Sequence, residues 1–432
     1  MKYQIPFGKE MLYADLPKEQ VLFYAEPIKP EVPSNADVLI EEALDHPIGT
    51  KRLEEMVTAD QKILILSDDL TRPTPKRQLI EHILKRLKKV GVPDKNITIC
   101  LAPGTHRTMT DKELLETFGS EMLQRFEILN INYKYADHLV YLGDTPTGTP
   151  IEVYREAIEA DFIIGIGNIV PHMSAGWGGG AKIVQPGICG EKTTRGTHLM
   201  AALEQNIIET CGNAENKCRH EMEVIARQVG LKFIMNTVMD EHKHILGVFC
   251  GDCVEAHRAG VVLAKQVMCP EIPERADILI ASANPCQIDF WQGGKPFTFA
   301  QHGIKDGGTI IFVMAGEEGL CGNAPEHDYV VRNYSTTSEE KIREDVKNGV
   351  IKDAIAIDTP ICCDQVRKRG VHTLLVTKGL SQEDCNALGF EMASTLEDAL
   401  EKAFAKHGKD AKVGIIPYCG ETLVFDTTRG QM

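Results

Sequence analysis

Six short apolar runs, at 62–67, 97–102, 161–167, 277–282, 309–314 and 372–377, are rich in Ile, Leu and Val and do not alternate with polar residues. Runs of that length suit strands buried on both faces, as in a parallel sheet covered by helices. Amphipathic segments at 76–90 and 395–407 supply crossover helices. The expected class is therefore α/β, with two domains, each built on a mostly parallel sheet flanked by helices, and an active site in the cleft between them.

The 432 residues suffice for two or three domains. Cys269-Pro-Glu-Ile-Pro-Glu-Arg275 interrupts the pattern with two prolines and three charges before a new strand begins. The expected division is an N-terminal cofactor-binding domain over 1–270 and a C-terminal α/β domain over 271–412. A tail over 413–432 is expected to return to the first domain. The stretch before about residue 50, with Pro27, Pro30 and Pro33 close together, reads as an extended arm or a peripheral hairpin.

A net charge of −15 with no basic stretch argues against a general nucleic-acid binder. The N-terminus has no apolar signal core, and no run of 18 or more apolar residues occurs, so no membrane association is expected and the chain reads as cytoplasmic. Its 13 cysteines then read as reduced thiols. Cys250-x-x-Cys253 lacks the second pair that a zinc knuckle needs, and Cys362-Cys363 reads as packing.

Polar clusters follow the apolar runs directly, at the strand ends where open parallel sheets bind ligands. The first, Ser67-Asp68-Asp69-Leu70-Thr71-Arg72-Pro73, leads into a helix with Pro73 in its first turn. A phosphate suits that helix start and Arg72, while Asp69 suits ribose hydroxyls. Simple capping, with Arg72 paired to a carboxylate, is the alternative. Pro103-Gly104-Thr105-His106-Arg107 sets His106 in a tight loop, as an acid–base group or as a surface histidine.

The densest cluster runs from Pro171-His172 through Gly176-Trp177-Gly178-Gly179-Gly180-Ala181-Lys182. Its four glycines allow close backbone approach, and their amides can cradle phosphate. Ile183 stands where a Walker loop places Ser or Thr, and no strand with a terminal acidic residue follows at the distance a dinucleotide fingerprint needs. Lys182 reads as a phosphate clamp or a covalent attachment point. His198 is of a type that ligates nickel, copper or zinc. No second protein ligand stands at a fixed spacing, so a core or capping role is equally open, and a metal there needs a cofactor to complete its coordination. In the second half, Gln292 and Lys295, beside Trp291, offer donors for a carboxylate or hydroxyl, or else form an ordinary helix surface.

The ordered set Asp69-Leu70-Thr71-Arg72, Gly104-Thr105-His106-Arg107, His172 with the glycine run ending at Lys182, His198, and Gln292-Gly293-Gly294-Lys295 resembles the nickel-pincer nucleotide-dependent lactate racemase family. The resemblance implies a racemase or epimerase of a 2-hydroxy acid. Its cofactor would be pyridinium-3-thioamide-5-thiocarboxylic acid mononucleotide carrying nickel, made and loaded by dedicated synthesis and nickel-insertion enzymes. It further implies that Lys182 anchors this nucleotide, that His198 is the single protein ligand of nickel, and that Asp69, Arg72, Gly178, Gly179 and Gly180 hold ribose and phosphate. His106 and His172 correspond to the two acid–bases, and Gln292 and Lys295 to the groups that hold the substrate carboxylate. Reversible hydride transfer through a planar 2-keto acid is the implied chemistry. Leu70, Trp291 and the segment Asp364-Gln365-Val366 depart from the residues of lactate-acting members, so the implied substrate is lactate or a bulkier relative. An NAD-dependent dehydrogenase-like oxidoreductase and a non-catalytic nucleotide or cofactor carrier are the competing readings.

Overall fold

All six apolar runs form strands in the computed structural model, which describes residues 1–28 and 35–429. In the first sheet the strand Ile63–Ser67 lies between Ile97–Leu101 and Phe162–Asn168, parallel to both. Glu127–Leu129 extends one edge, and Leu231–Met239 with its antiparallel partner Ile245–Gly251 extends the other. The second sheet has six parallel strands in the spatial order Glu391–Ala393, His372–Val376, Ile304–Val313, Ala276–Ser282, Val413–Ile416 and Val21–Tyr24.

The missing alternation has a packing cause. Ile63 and Ile65 join one hydrophobic cluster with Ile99 and Ile164, while Leu64 and Leu66 join another, with Cys100 and Ile163, on the opposite face. The second sheet repeats this, with Ile278 and Ile280 on one side and Leu279 and Ala281 on the other. Burying each such side chain contributes about 1.5–3 kcal/mol, so both faces of each sheet must be covered. Lys76–Val90 covers part of the first sheet through Leu79, Ile80, Ile83 and Leu87, and ends at Gly91 in the left-handed conformation (φ 90°). Leu396–His407 covers part of the second.

The first 24 residues attach to the second sheet rather than to the first. Lys2–Phe7 and Glu10–Asp15 form an antiparallel hairpin whose Ile5, Phe7 and Ala14 pack against Ile278 and Ile311. Val21–Tyr24 then adds a strand beside Val413–Ile416. Pro30 and Pro33 lie outside the described residues. Residues 413–416, expected within a tail, are thus a sheet strand, a run too short to stand out in the sequence. Beyond it, Phe425–Asp426 pairs with Glu271–Ile272, at the junction of the two halves.

Both sheets have a topological switch point. In the first, the chain proceeds from Ile63–Ser67 outward to Glu127–Leu129, then returns to place Phe162–Asn168 on the other side of the starting strand. In the second, it proceeds from Ala276–Ser282 outward to Glu391–Ala393, then returns to Val413–Ile416. Such reversals open a crevice at the C-terminal ends of the two strands that flank them.

Among the described residues no helix is long and apolar enough to cross a membrane. The 13 cysteines are free, and burial pushes the thiols of Cys250, Cys253, Cys362 and Cys363 up, away from reactive thiolate.

Candidate active site

One cavity with about 1190 Å³ of space, its open mouth included, collects residues from the loops at the first switch point and from the second half of the chain. His106, His172, Lys182, His198, Gln292 and Lys295 all line it.

The loop after Ser67 is held by its own carboxylates. Asp68 accepts from Thr74 Oγ1 (2.5 Å) and pairs with Lys76 (3.1 Å). Asp69 Oδ1 accepts from the amide (3.0 Å) and the hydroxyl (2.5 Å) of Thr71, and its Oδ2 lies 2.7 Å from His106 Nδ1. Burial alone would raise the Asp69 carboxyl, but His106, Arg72 and Thr71 outweigh it and hold the group well below the usual carboxylate range. His106 therefore presents Nε2 to the cavity, where it accepts from the Gln292 side-chain amide (3.0 Å). The same amide's Oε1 accepts from Arg72 (3.3 Å), so Gln292 ties the second half of the chain to both residues.

The glycine loop is shaped by groups far away in sequence. Arg219, fully buried, donates to the carbonyls of Ala175 (3.2 Å), Gly179 (3.0 Å) and Trp177. Asn236 accepts from the amide of Gly180 (2.7 Å), and His257 Nε2 donates to the carbonyl of Gly178 (2.8 Å). Glycine is required at 176, where φ is +71° and a Cβ would lie 1.8 Å from the Asn213 carbonyl oxygen. At 179 (φ +72°) a Cβ would meet Asn236 at 2.8 Å. Trp177 is fully buried, with its indole N–H on the carbonyl of Gly212 (2.7 Å), so it serves the loop's packing.

This loop delivers two groups to the cavity. His172 Nδ1 accepts from the amides of Ser174 (3.2 Å) and Ala175 (3.3 Å), which leaves the proton of the neutral ring on Nε2. Burial, Lys182, Lys295, Arg72 and Arg219 keep His172 neutral, well below its ordinary value. Lys182 follows in a short 3-10 turn, Gly180–Ile183, and burial with Arg72 and Arg219 pushes its ammonium down to about 7. Among the described residues Arg72, Lys182 and Lys295 of the wall form no ion pair, and fully buried Arg219 lies behind the loop.

His198, on the helix Glu191–Glu204, donates Nδ1–H to the carbonyl of Thr194 (2.8 Å). Burial lowers it to about 4, so the ring is neutral and its Nε2 lone pair faces the cavity. That tautomer is the one a metal-ligating imidazole needs. Among the described residues no group of three or more His, Cys, Asp or Glu could hold a metal, so a metal at His198 would take its remaining ligands from elsewhere.

From the second half come Trp291, Gln292 and Lys295 on the helix Phe290–Ala300, capped by Asp289, which accepts from the Gln292 amide (2.9 Å). Asp358 and Thr359 join them in the cavity wall.

Two expected residues stand apart from this wall. Leu70 packs against the core under the first sheet and lines a separate surface groove with Pro73–Arg77, because Asp69 and Arg72 occupy the inward positions of the loop. The Gly180 amide is engaged by Asn236. The segment at 364–366 is also outside the cavity, with Asp364 accepting from the Glu339 amide (2.8 Å). Conversely Asn168, Arg219, Asn236, Asp358 and Thr359 belong to the site and carried no local sequence signal. Asn168 is 4% exposed, and both polar atoms of its side chain lack a partner among the described residues.

A model of the lactate racemase N-terminal domain matches residues 7–210, and one of the lactate racemase C-terminal domain matches residues 272–424. The chain is 32% identical to the lactate racemase of Lactiplantibacillus plantarum over 382 residues, 88% of each chain. With the lactate racemase of Thermoanaerobacterium thermosaccharolyticum it shares 27% identity over 422 residues, 96% of this chain and 97% of that one. The lactate racemase apoprotein structure from the latter organism superposes with a TM-score of 0.85 at 25% identity, covering 99% of this chain and 100% of that chain. A Thermotoga maritima protein superposes with a TM-score of 0.74 at 20% identity, covering 93% of this chain and 100% of that chain, which is a likeness of fold.

Proposed function

The chain belongs to the lactate racemase family, and we propose that this racemase inverts C2 of a 2-hydroxy acid with a nickel-pincer nucleotide anchored on Lys182. One observation carries the reading: a single cavity gathers a buried amine, a neutral histidine with a bare nitrogen, two further histidines from separate loops, and unpaired cations.

The residues fit the group on three counts. Arg72 and Lys295 match the negative charges of a phosphate and of a substrate carboxylate. Lys182, pushed down to about 7, supplies an uncharged amine for a covalent link. His198 offers one imidazole nitrogen, and a pincer nucleotide supplies the other donors. Backbone at Gly178 and Gly179 and the unpartnered amide of Asn168 line the same cavity and would hold the nucleotide. When bound, the nickel-pincer nucleotide supplies a reversible acceptor for the hydrogen on C2.

The protein's own part is proton handling and positioning. His106 Nε2 takes the substrate hydroxyl proton once Gln292 turns from it to the substrate, and Asp69 stabilises the resulting imidazolium. Inversion needs a second group to protonate the oxygen, and His172 comes from a different loop. The cations around His172 disfavour a second proton on its ring. A phosphate and a substrate carboxylate would offset those cations, so His172 becomes a proton donor only when the site is filled and Nδ1 is released from the amides of Ser174 and Ala175. Lys295 and Gln292 fix the substrate carboxylate, and burial between the two halves excludes water. With Leu70 outside the cavity, the case for a substrate larger than lactate rests on the second half of the chain, Trp291 included.

The same reading assigns residues 35–270 to the nucleotide-holding unit and 271–426, together with 1–25, to the unit that covers it. The chain is made together with the cofactor-synthesis and nickel-insertion enzymes to test it. Intact mass should show an adduct that maps to Lys182, metal analysis about one nickel per chain, as a single-histidine site implies, and chiral analysis inversion at C2. Unmodified, nickel-free protein from that preparation would sink the proposal.

A further inference from the structure

The second half of the chain contributes five residues to the cavity wall: Trp291, Gln292, Lys295, Asp358 and Thr359. Gln292 is engaged by His106 and Arg72, and Lys295 serves a carboxylate. Asp358 and Thr359 have no part in the chemistry described above, yet they are among the most buried polar groups of the wall, 6% and 2% exposed.

Both open the helix Asp358–Lys368. Thr359 is pressed against the helix that bears Lys295, where a Cβ at Gly294 would lie 3.1 Å from its hydroxyl. Asp358 Oδ1 accepts from the Thr359 amide (2.9 Å), and the carboxylate forms no ion pair among the described residues. Burial raises the Asp358 carboxyl to about 6, and its backbone bonds and His327 act against that rise. At neutral pH it is therefore mainly an acceptor.

Trp291 completes this corner. Its ring lies 4.4 Å from that of His327, centroid to centroid, and His327 is itself fixed by Asp353 (2.7 Å). An aromatic ring, a carboxylate and a hydroxyl that line one cavity with a lysine able to hold a carboxylate make a wall for a chain of carbons that carries hydroxyls. Aliphatic C–H groups lie on the ring, and O–H groups donate to the carboxylate. A plain alkyl substituent here would desolvate Asp358 without replacing its lost water. A second carboxylate would meet like charge.

We infer that the substrate is a 2-hydroxy acid bearing at least one further hydroxyl on the carbons beyond C2, donated to Asp358, so that the reaction is inversion at C2 of a polyhydroxy acid. This rests on the racemase reading above and narrows it. Sites built to bond a hydroxyl reject the analogue that lacks it far more strongly than apolar pockets reject an extra one.

Matched acids test it on cofactor-loaded enzyme: glycerate against lactate, 2,3,4-trihydroxybutanoate against 2-hydroxybutanoate, and malate as the dicarboxylate. Inversion at C2 is followed by chiral chromatography, in wild type, Asp358→Asn and Asp358→Leu. In at least one pair the hydroxylated acid should lead in kcat/KM by about 100-fold, with malate poorest. Asp358→Leu should cut that preference at least tenfold while keeping the Lys182 adduct and nickel, which report an intact site. Equal kcat/KM within both pairs, or an unchanged preference in Asp358→Leu, overturns the inference and leaves the racemase reading standing. Loaded wild-type enzyme that inverts none of the acids overturns both.

Discussion

Asp69 Oδ2 sits 2.7 Å from His106 Nδ1, and Asp69 Oδ1 is already taken by the amide and hydroxyl of Thr71. The carboxylate is thus occupied in fixing one imidazole tautomer, with Nε2 toward the cavity. A ribose diol would have to displace one of these partners. On the proposed mechanism Asp69 would position His106, and the unpartnered polar atoms of Asn168 would be open to a nucleotide sugar.

Asp69→Asn should therefore lower kcat by about 10²–10⁴, the range for losing or misorienting an acid–base group. KM and the fraction of chains carrying the Lys182 adduct should stay within about twofold of wild type, well inside one decade of binding. Steady-state racemisation and intact mass on the same preparation separate the two roles. A collapse of adduct content with kcat per loaded chain preserved would return Asp69 to ribose binding.

Lys182 gives a pH test. Its ammonium is pushed down to about 7, whereas an exposed lysine stays protonated to about 10.4. Below 7 the uncharged fraction grows about tenfold per pH unit, and above 7 it saturates. Limiting acylation of cofactor-free protein, read by peptide mass spectrometry, should show Lys182 labelling that rises from pH 5 to 7 and levels off by pH 8. Exposed lysines should still be climbing there. Labelling of Lys182 that keeps rising tenfold between pH 8 and 9 would contradict a depressed amine.

Much of this site was legible because its reactive groups sit within a few residues of strand ends. His106 and His172 follow the second and third apolar runs within a few residues, Lys182 closes the loop that His172 begins, and a parallel sheet puts such loops at one edge. The parity of a loop is less readable, and Leu70, between two inward residues, turned to the core. The supporting groups were not legible at all. Arg219 lies on an ordinary amphipathic helix, and Asn236 in a strand that returns beside Phe162–Asn168. Only the fold brings them under the glycine loop. The N-terminal strand Val21–Tyr24 and the strand Val413–Ile416 pair across nearly the whole chain, a relation without local signature.

Arg219 predicts a stability effect. Arg219→Met removes donors to three loop carbonyls while keeping much of the side chain's volume. The cost should be about 3 kcal/mol, the scale for leaving buried polar partners uncompensated. Urea unfolding measures it, and a loss below about 1 kcal/mol, the size of one ordinary hydrogen bond, would mean that the loop holds its shape without Arg219. Gly176→Ala should be worse, since its Cβ has no room beside Asn213.

Glu421 lies just beyond the strand Val413–Ile416, at the switch point of the second sheet, and burial raises it to about 7 against the pull of Lys295, Lys243 and Arg72. Below pH 7 the carboxyl is protonated and leaves Lys295 free for a substrate carboxylate. Above pH 7 its negative charge competes for that ammonium, so KM for the 2-hydroxy acid should rise from pH 6 to 8 while kcat is less affected. The stability sign is the reverse of an ordinary ion-paired carboxylate. A carboxyl whose folded value lies above its unfolded one binds its proton more tightly when folded, so the cost of charging it is absent below pH 4.5 and fully present above pH 7. Glu421→Gln, neutral throughout, should flatten the KM profile. At pH 8 it should be more stable than wild type by about 3 kcal/mol at most, with no gain at pH 4. A KM profile that Glu421→Gln leaves unchanged would show that Lys295 does not sense this carboxylate.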